Sequence, residues 1–287
     1  MNKSYTKKDI QGRILDIIKD IDVFCKANNI TYYLMSGSAL GAMRHKGFIP
    51  WDDDLDIFMT VDNYRKFLDL FGSYKSEKFF LQHEDTEEWP LYISRVCLKG
   101  TTMVSNEFKN NMKQHHNVFV DIICLFSAAP TKFGQWKQYM ASQILRVNSL
   151  EKSHFCQKNP VKWLCQKLSL LIVTPKVKRC ILKYIHKYEG TDSEWVGYYF
   201  GRVRFPKTNF LRSYLGSGSP RYVPFEDTEL PVFENVEDYL LSRFGPKWME
   251  MPDKKTLSKY PIHSDFVDLE RDYTTYMSED KKEWIYE

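Results

Sequence analysis

Between residues 8 and 28 apolar side chains recur every three or four positions, at Ile10, Ile14, Ile17, Ile21 and Phe24, with Lys and Asp among the positions between. That period predicts an amphipathic helix with one solvated face. Asn28-Asn29 predicts its end, because Asn tolerates the left-handed conformation that follows many helices. Ile30 to Met35 (ITYYLM) is a run of β-formers and predicts a buried strand. Ser36-Gly37-Ser38 breaks it, and Ala39 to His45 predicts a short helix. A loop containing Pro50 runs from Gly47 to Asp53 and leads into a second strand, Leu55 to Met59. TVDNYRKFLDLF then opens a helix at Thr60. Short strands are predicted near Phe79–Gln82, Tyr92–Leu98 and Thr101–Ser105. Asn117 to Phe126 (NVFVDIICLF) is strand-like apart from one acid.

The period turns helical from about Thr131 to Lys187. Within it, residues 151–190 hold nine Lys and Arg against two Glu. Past Gly190 the chain is aromatic and rich in Gly and Pro; Val236 to Phe244 predicts one more helix, and a polar tail follows. This order of elements predicts an α/β (α+β) protein. Residues 1–130 form a mixed, twisted sheet flanked by helices. Residues 131–287 form a mainly helical region whose C-terminal segment folds back to complete the site.

Composition narrows the classes. With 43% hydrophobic residues, 18 Tyr, 19 Phe and 7 Trp in 287 residues, the chain has ample material for a folded core. A formal net charge of +4 is too mild to indicate nucleic acid as a partner. The six cysteines include no CxxC pair, which argues against a zinc site. Their even number leaves disulfides open, but nothing else points to secretion. MNKSYTKKDIQGR has no apolar core of a signal peptide, and the longest apolar run, Leu168 to Val173, is far short of a membrane span. These features predict a soluble cytoplasmic protein with reduced thiols.

The chemistry concentrates in LMSGSALGAMRHKGFIPWDDDLDIFM, Leu34 to Met59. A strand ends in Gly37-Ser38 and a helix begins, so unpaired N–H groups and a positive dipole end can face a phosphate. Arg44, His45 and Lys46 add positive charge suited to pyrophosphate oxygens. Asp52, Asp53, Asp54 and Asp56 follow. On an extended chain Asp52, Asp54 and Asp56 share one face and Asp53 points away. Three neighbouring carboxylates repel one another unless a cation lies between them, and hard oxygen donors suit Mg²⁺ or Mn²⁺. Asp121 stands alone in an apolar strand, where a further ligand or a general base could sit. Each feature has a plain reading: an Asp run is commonly a solvated loop, Gly-Ser a turn, and Asp121 a strand-end acid. Their succession, strand, Gly-Ser, helix, Asp-x-Asp strand and a later acid-bearing strand, favours one functional constellation.

Gly37-Ser38, Asp54-Leu55-Asp56-Ile57 and Val120-Asp121-Ile122 together resemble the nucleotidyltransferase superfamily. More narrowly, SGSALGAMRHKGFIPWDDDLDIFM, NVFVDIICLF and FEDTELPVFENVEDYLLSRFGPKWMEMP resemble the LicD family of phosphocholine transferases, itself similar to fukutin and fukutin-related protein. The likeness spans residues 8–126 and, more loosely, 222–252. It implies a nucleotidyltransferase-type sheet, a CDP-choline donor and CMP as leaving group. The implied acceptor is a sugar hydroxyl of a lipid-linked or surface glycan, such as lipopolysaccharide or teichoic acid. Under the resemblance, Asp54 and Asp56 hold Mg²⁺ (or Mn²⁺) with Asp52 beside them, and Asp121 binds metal or takes the hydroxyl proton. Gly37 and Ser38 cradle phosphate, and Arg44 and Lys46 neutralise the leaving group. Glu226 matches the family's Phe-Glu and orients an acceptor or a metal-bound water, or else is a surface acid beside Asp227.

A choline group asks for aromatic faces. Trp51, Trp89, Tyr92, Trp195, Tyr198, Tyr199 and Trp248 are the candidates, Trp51 foremost because it adjoins the aspartates; most of the others must be packing. The basic helices between Asn159 and Lys187 either lie against the inner face of an anionic membrane or pack their apolar side on the sheet. His115, His116 and His154 lack metal-ligand spacing and read as loop or surface residues. Donors carrying ribitol or glycerol, transfer of the nucleotide itself, and a non-catalytic scaffold are the rival readings.

Overall fold

In the computed structural model, which describes residues 5–74, 76–105, 107–201, 203–253, 257, 264–280 and 283–285, the first element is helix α1, Lys7–Ala27. Thr6 and Asp9 close a capping box at its start, each side chain bonding the other's backbone N–H. Asn29, at φ 51°, ends it in the left-handed region as expected. Ile10, Ile14, Ile17, Ile18 and Ile21 are all buried. The remaining elements of the N-terminal half are β1 (Tyr33–Leu34), α2 (Ser36–His45), β2 (Asp56–Thr60), α3 (Val61–Ser73), β3 (Phe79–Gln82), β4 (Ser94–Leu98), β5 (Thr102–Val104) and β6 (Val118–Ser127).

The sheet runs β1-β2-β6-β4-β3. Only β2 and β6 are parallel within that order, with Asp56 level with Asp121; β1, β4 and β3 join antiparallel. Helices α1 and α3 pack on this sheet. The C-terminal half contributes α4 (Lys132–Lys152), α5 (Pro160–Ile172), α6 (Pro175–Ile185), β7 (Trp195–Gly197), β8 (Asn209–Leu211), β9 (Arg221–Phe225), β10 (Thr228–Val232), α7 (Val236–Phe244) and β11 (Phe266–Asp268). It is continuous with the first half: β7 pairs with the end of β6 at Phe126 and Ser127, and β8 pairs with β7. Phe58 of β2 meets the rings of Tyr198, Phe210 and Phe233, at centroid distances of 5.1, 6.0 and 6.2 Å. The class is mixed α/β, as the order of elements predicts.

Several local expectations are corrected. The strand expected over 30–35 contracts to two residues, because the Thr31 N–H is taken by the Asn63 side chain at 2.8 Å instead of a neighbouring strand. Helix α2 begins at Ser36, three residues early, so Gly37 and Ser38 lie in its first turn. The aromatic stretch after Gly190 yields β7 to β10. The polar tail supplies β11, which pairs with β5. His116 is buried, held at 3.1 Å by Gln114 and by the Asn111 carbonyl. Burial lowers its pKa to about 4. Trp89, Tyr198 and Tyr199 are fully buried, so they serve packing. All six cysteines are free thiols. No helix among the described residues is long and apolar enough to cross a membrane.

Candidate active site

The loop after α2 folds back along the helix that precedes it. A Cβ at Gly41 would stand 2.5 Å from the Gly47 carbonyl and 3.2 Å from Ile49 N, so only glycine lets the loop pass this close. At the far end of the return, Asp52 Oδ2 comes within 3.6 Å of where a Gly37 Cβ would be. Helix α1 and the C-terminal segment hold the loop. Gln11 of α1 donates to the carbonyls of Ile49 and Asp52, at 3.1 and 2.9 Å, and Lys7 donates to that of Trp51. Ser264 donates to Asp53 Oδ2 at 2.9 Å. Asp53 is 1% exposed and so faces the C-terminal segment.

Asp56 is where the acids meet. Its N–H donates to Ser38 Oγ at 3.0 Å, which fixes the start of β2 to the first turn of α2. Desolvation of its carboxyl, followed by the charges of Asp54, Asp121 and Asp52, pushes its pKa well above the usual carboxylate range, and Arg95 pulls the other way. Register makes this cluster: Asp56, Asp121 and Arg95 sit level on β2, β6 and β4. Arg95 Nε donates to Asp121 Oδ1 at 2.6 Å and Nη2 to Oδ2 at 3.4 Å. Its guanidinium lies 3.7 Å from the Phe119 ring centroid and 4.2 Å from that of Trp89, contacts that restrain its direction.

The C-terminal half closes the opposite side. Ser36, at the head of α2, has φ 37°, a left-handed value that a serine holds only when its surroundings enforce it. Its N–H donates to Tyr239 Oη at 3.3 Å, and its hydroxyl lies 3.1 Å from the same oxygen. Arg243 Nε, from the last turn of α7, donates to Ser36 Oγ at 3.3 Å. Burial raises the pKa of both Tyr198 and Tyr239, and the charge of Asp56 adds to each.

The structure thus brings together Gly37, Ser38, Asp52, Asp54, Asp56 and Asp121. Arg44 and Lys46 lie elsewhere, at the C-terminal end of the ten-residue α2, with Lys46 about 12 Å along the axis from Ser38 at the usual rise. Arg44 donates to the carbonyls of Trp248 and Glu250, both at 3.1 Å. Lys46 caps α2 in the left-handed conformation. Trp51 packs edge-on to His45 at 5.7 Å. Glu226, at the turn between β9 and β10, accepts the Phe48 N–H at 3.0 Å and donates its own N–H to the Lys46 carbonyl at 2.7 Å, so it fastens the loop. Arg95, Ser36, Tyr239 and Arg243 are absent from the sequence-based set. Nothing local marks Arg95; Arg243 stands just before FGPKW, the one signal that could have pointed to it.

Among the described residues no three His, Cys, Asp or Glu side chains form a ready-made metal cage. The donors available are carboxylate oxygens alone, gathered around Asp56. That set fits Mg²⁺, which takes one or two carboxylates and fills its octahedron with water and substrate phosphate.

Residues 29–146 match the family described as LicD/FKTN/FKRP, nucleotidyltransferase domain. The chain belongs to this family, and it is an enzyme, a transferase. A Haemophilus influenzae protein named lipopolysaccharide cholinephosphotransferase LicD is 38% identical over 276 residues, covering 92% of this chain and 99% of that one. Mannosyltransferase regulator 4 of Saccharomyces cerevisiae is 24% identical over 157 residues, 52% of this chain and 13% of its own. An uncharacterised Rickettsia prowazekii protein is 50% identical over 44 residues, 15% of this chain and 16% of that one.

Proposed function

We propose that the protein transfers phosphocholine from CDP-choline to a sugar hydroxyl of a lipid-linked or cell-surface glycan, lipopolysaccharide being the acceptor suggested by the relative's name, and that the reaction requires Mg²⁺. The observation that carries the proposal is the level row of Asp56, Asp121 and Arg95 facing the α2 start. Asp54 and Asp56 hold the metal, with Asp52 beside them. When bound, Mg²⁺ screens negative charge on the transferred phosphoryl group and on the leaving CMP. Gly37 lets the diphosphate approach the first turn of α2, and Ser36 and Arg243 bind its oxygens from the other side. Arg95 occupies one lone pair on each Asp121 oxygen and leaves others for the acceptor hydroxyl. That hydroxyl oxygen bonds to the choline-bearing phosphorus, the bond from phosphorus to the CMP oxygen breaks, and the hydroxyl proton passes to Asp121. A nucleotide donor puts the working location on the cytoplasmic side, at the inner face of the membrane.

The test is calorimetric titration with CDP-choline, CDP-ribitol, CDP-glycerol and CMP, each with Mg²⁺ and with EDTA. Metal-dependent binding of CDP-choline well above the other three is the expected result. Preference for CDP-ribitol or CDP-glycerol moves the donor, and binding indifferent to metal removes the metal role. Product analysis separates the remaining rival, since an acceptor that gains nucleotide rather than phosphocholine overturns the proposed bond cleavage.

A further inference from the structure

Helix α5 is built with its polar side inward. Gln166 and Ser169 are its buried residues, at 2% and 6% exposure, whereas Trp163, Leu164, Leu168, Leu171 and Ile172 are 46% to 77% exposed. Its contacts with α4 are polar: Asn148 donates to the Ser169 carbonyl at 3.2 Å, and Lys167 pairs with Glu151. These pairs run antiparallel and bring the Ile172 end of α5 level with the Ile144 turn of α4. Helix α4 carries its own exposed apolar stripe, Phe133, Trp136, Met140 and Ile144, between 43% and 63% exposed at spacings of three and four, and the Ile144 end of that stripe is the one next to α5. Single exposed apolar side chains are ordinary, but a contiguous set on neighbouring helices marks a surface that meets something.

Charge identifies what it meets. Residues 151–190 carry nine Lys and Arg against two Glu, and both acids are engaged inside the protein, Glu151 by Lys167 and Glu189 by Ser127. Lys178 pairs with Asp85, while Lys158 just before α5, Lys162 on α5, and Lys176 and Arg179 on α6 are exposed. A two-fold contact with a second copy would bring these cations against the same cations. An anionic lipid surface offers the opposite charge, together with an acyl boundary for Trp and Leu.

We propose that the α4–α5 face docks on an anionic bilayer, with Trp163 and the neighbouring leucines at the acyl boundary and the exposed lysines at lipid phosphates. The inference deepens the proposed function, because a lipid-linked acceptor lies in such a surface, yet its observations involve neither donor nor acceptor. It is tested without nucleotide, by co-sedimentation with phosphatidylglycerol–phosphatidylcholine vesicles and with pure phosphatidylcholine vesicles. The wild-type protein and the surface double variant Trp163→Ser/Leu168→Ser are compared, with far-UV circular dichroism as the check on folding. Wild-type protein is expected to partition about tenfold more onto the anionic vesicles, with the preference weakened by salt. The folded double variant is expected to lose about tenfold of that partitioning. Equal sedimentation with both lipids overturns the proposal, as does a folded double variant that binds like wild type. A concentration-dependent dimer in sedimentation velocity that the same substitutions disperse assigns the face to a second copy and also overturns it. Failure of the transferase reading shows only in the nucleotide titrations, so the two are separable.

Discussion

Helix α1 buries five isoleucines and exposes Lys8, Asp9, Asp16, Asp20 and Lys26, whereas α5 buries Gln166 and Ser169 and leaves Trp163, Leu164, Leu168, Leu171 and Ile172 exposed. Both segments are amphipathic, and their periods are equally helical. The difference lies in what each one packs against. Helix α1 packs on β6 and β4 of an open sheet, and its apolar stripe completes that core. Helix α5 contacts α4, which meets it with Asn148 and Glu151. Periodicity shows that a helix has two faces; the partner decides which face is inside.

Substitutions can break or sharpen this contrast. The largest effect is expected within the carboxylate cluster. Asp56→Asn should lower turnover by about a thousandfold, on the order of removing a metal-binding or oxyanion-stabilising group. Its thermal midpoint should hold or rise, because an acid that burial and like charges disfavour is replaced by a neutral amide. Steady-state kinetics with parallel melting curves checks both halves, and near-normal turnover in a folded Asp56→Asn protein would remove Asp56 from the reaction. Next, Ile17→Ala leaves a cavity beneath α1, where Ile17 is fully buried, and should cost about 3 kcal/mol in urea unfolding. Leu168→Ala on α5 should change the same quantity by less than about 0.5 kcal/mol. Equal costs at the two sites would mean that α5 packs like α1.

Arg243→Ala should reduce turnover about a hundredfold with little change in stability, since the guanidinium reaches Ser36 from the last turn of α7. If activity survives that change, the C-terminal half does not help to bind the donor. The smallest effect concerns Glu84, which lines a cavity under α3 with Tyr64, Arg65, Tyr92 and His186. Burial raises its pKa from 4.5 to about 7. Between those values the native state keeps a proton that the unfolded state has released, so stability falls as pH rises through that window. Glu84→Gln should therefore flatten the pH dependence and add about 2 kcal/mol near pH 8. Urea midpoints from pH 5 to pH 8 that keep their slope in the variant would place the proton on another group.

Part of the site is legible in the chain order. The run from Asp52 to Asp56 places alternate acids on one face, and in the structure Asp53 turns to Ser264 while Asp52 and Asp54 act on Asp56. The apolar strand bearing Asp121 pairs in register with Asp56. Arg44 and Lys46 show where such reading stops: close to the acids in sequence, they lie toward the other end of α2 because the helix carries them away. Arg95 became visible only through the pairing of β4 with β6, and Arg243 only through the docking of α7 on Ser36.

The sequence by itself determined the helices of long period, the two acid-bearing strands as candidates, and the likeness to one transferase family. These depend on side-chain alternation and on helical spacing, which act between residues two to four positions apart. Tertiary structure alone decided that β7 and β8 extend the first sheet, that Tyr239 and Arg243 meet Ser36 across some two hundred residues, and that α5 shows its apolar side. Those outcomes depend on which distant surfaces bury each other at the lowest total free energy, a quantity that no local pattern contains.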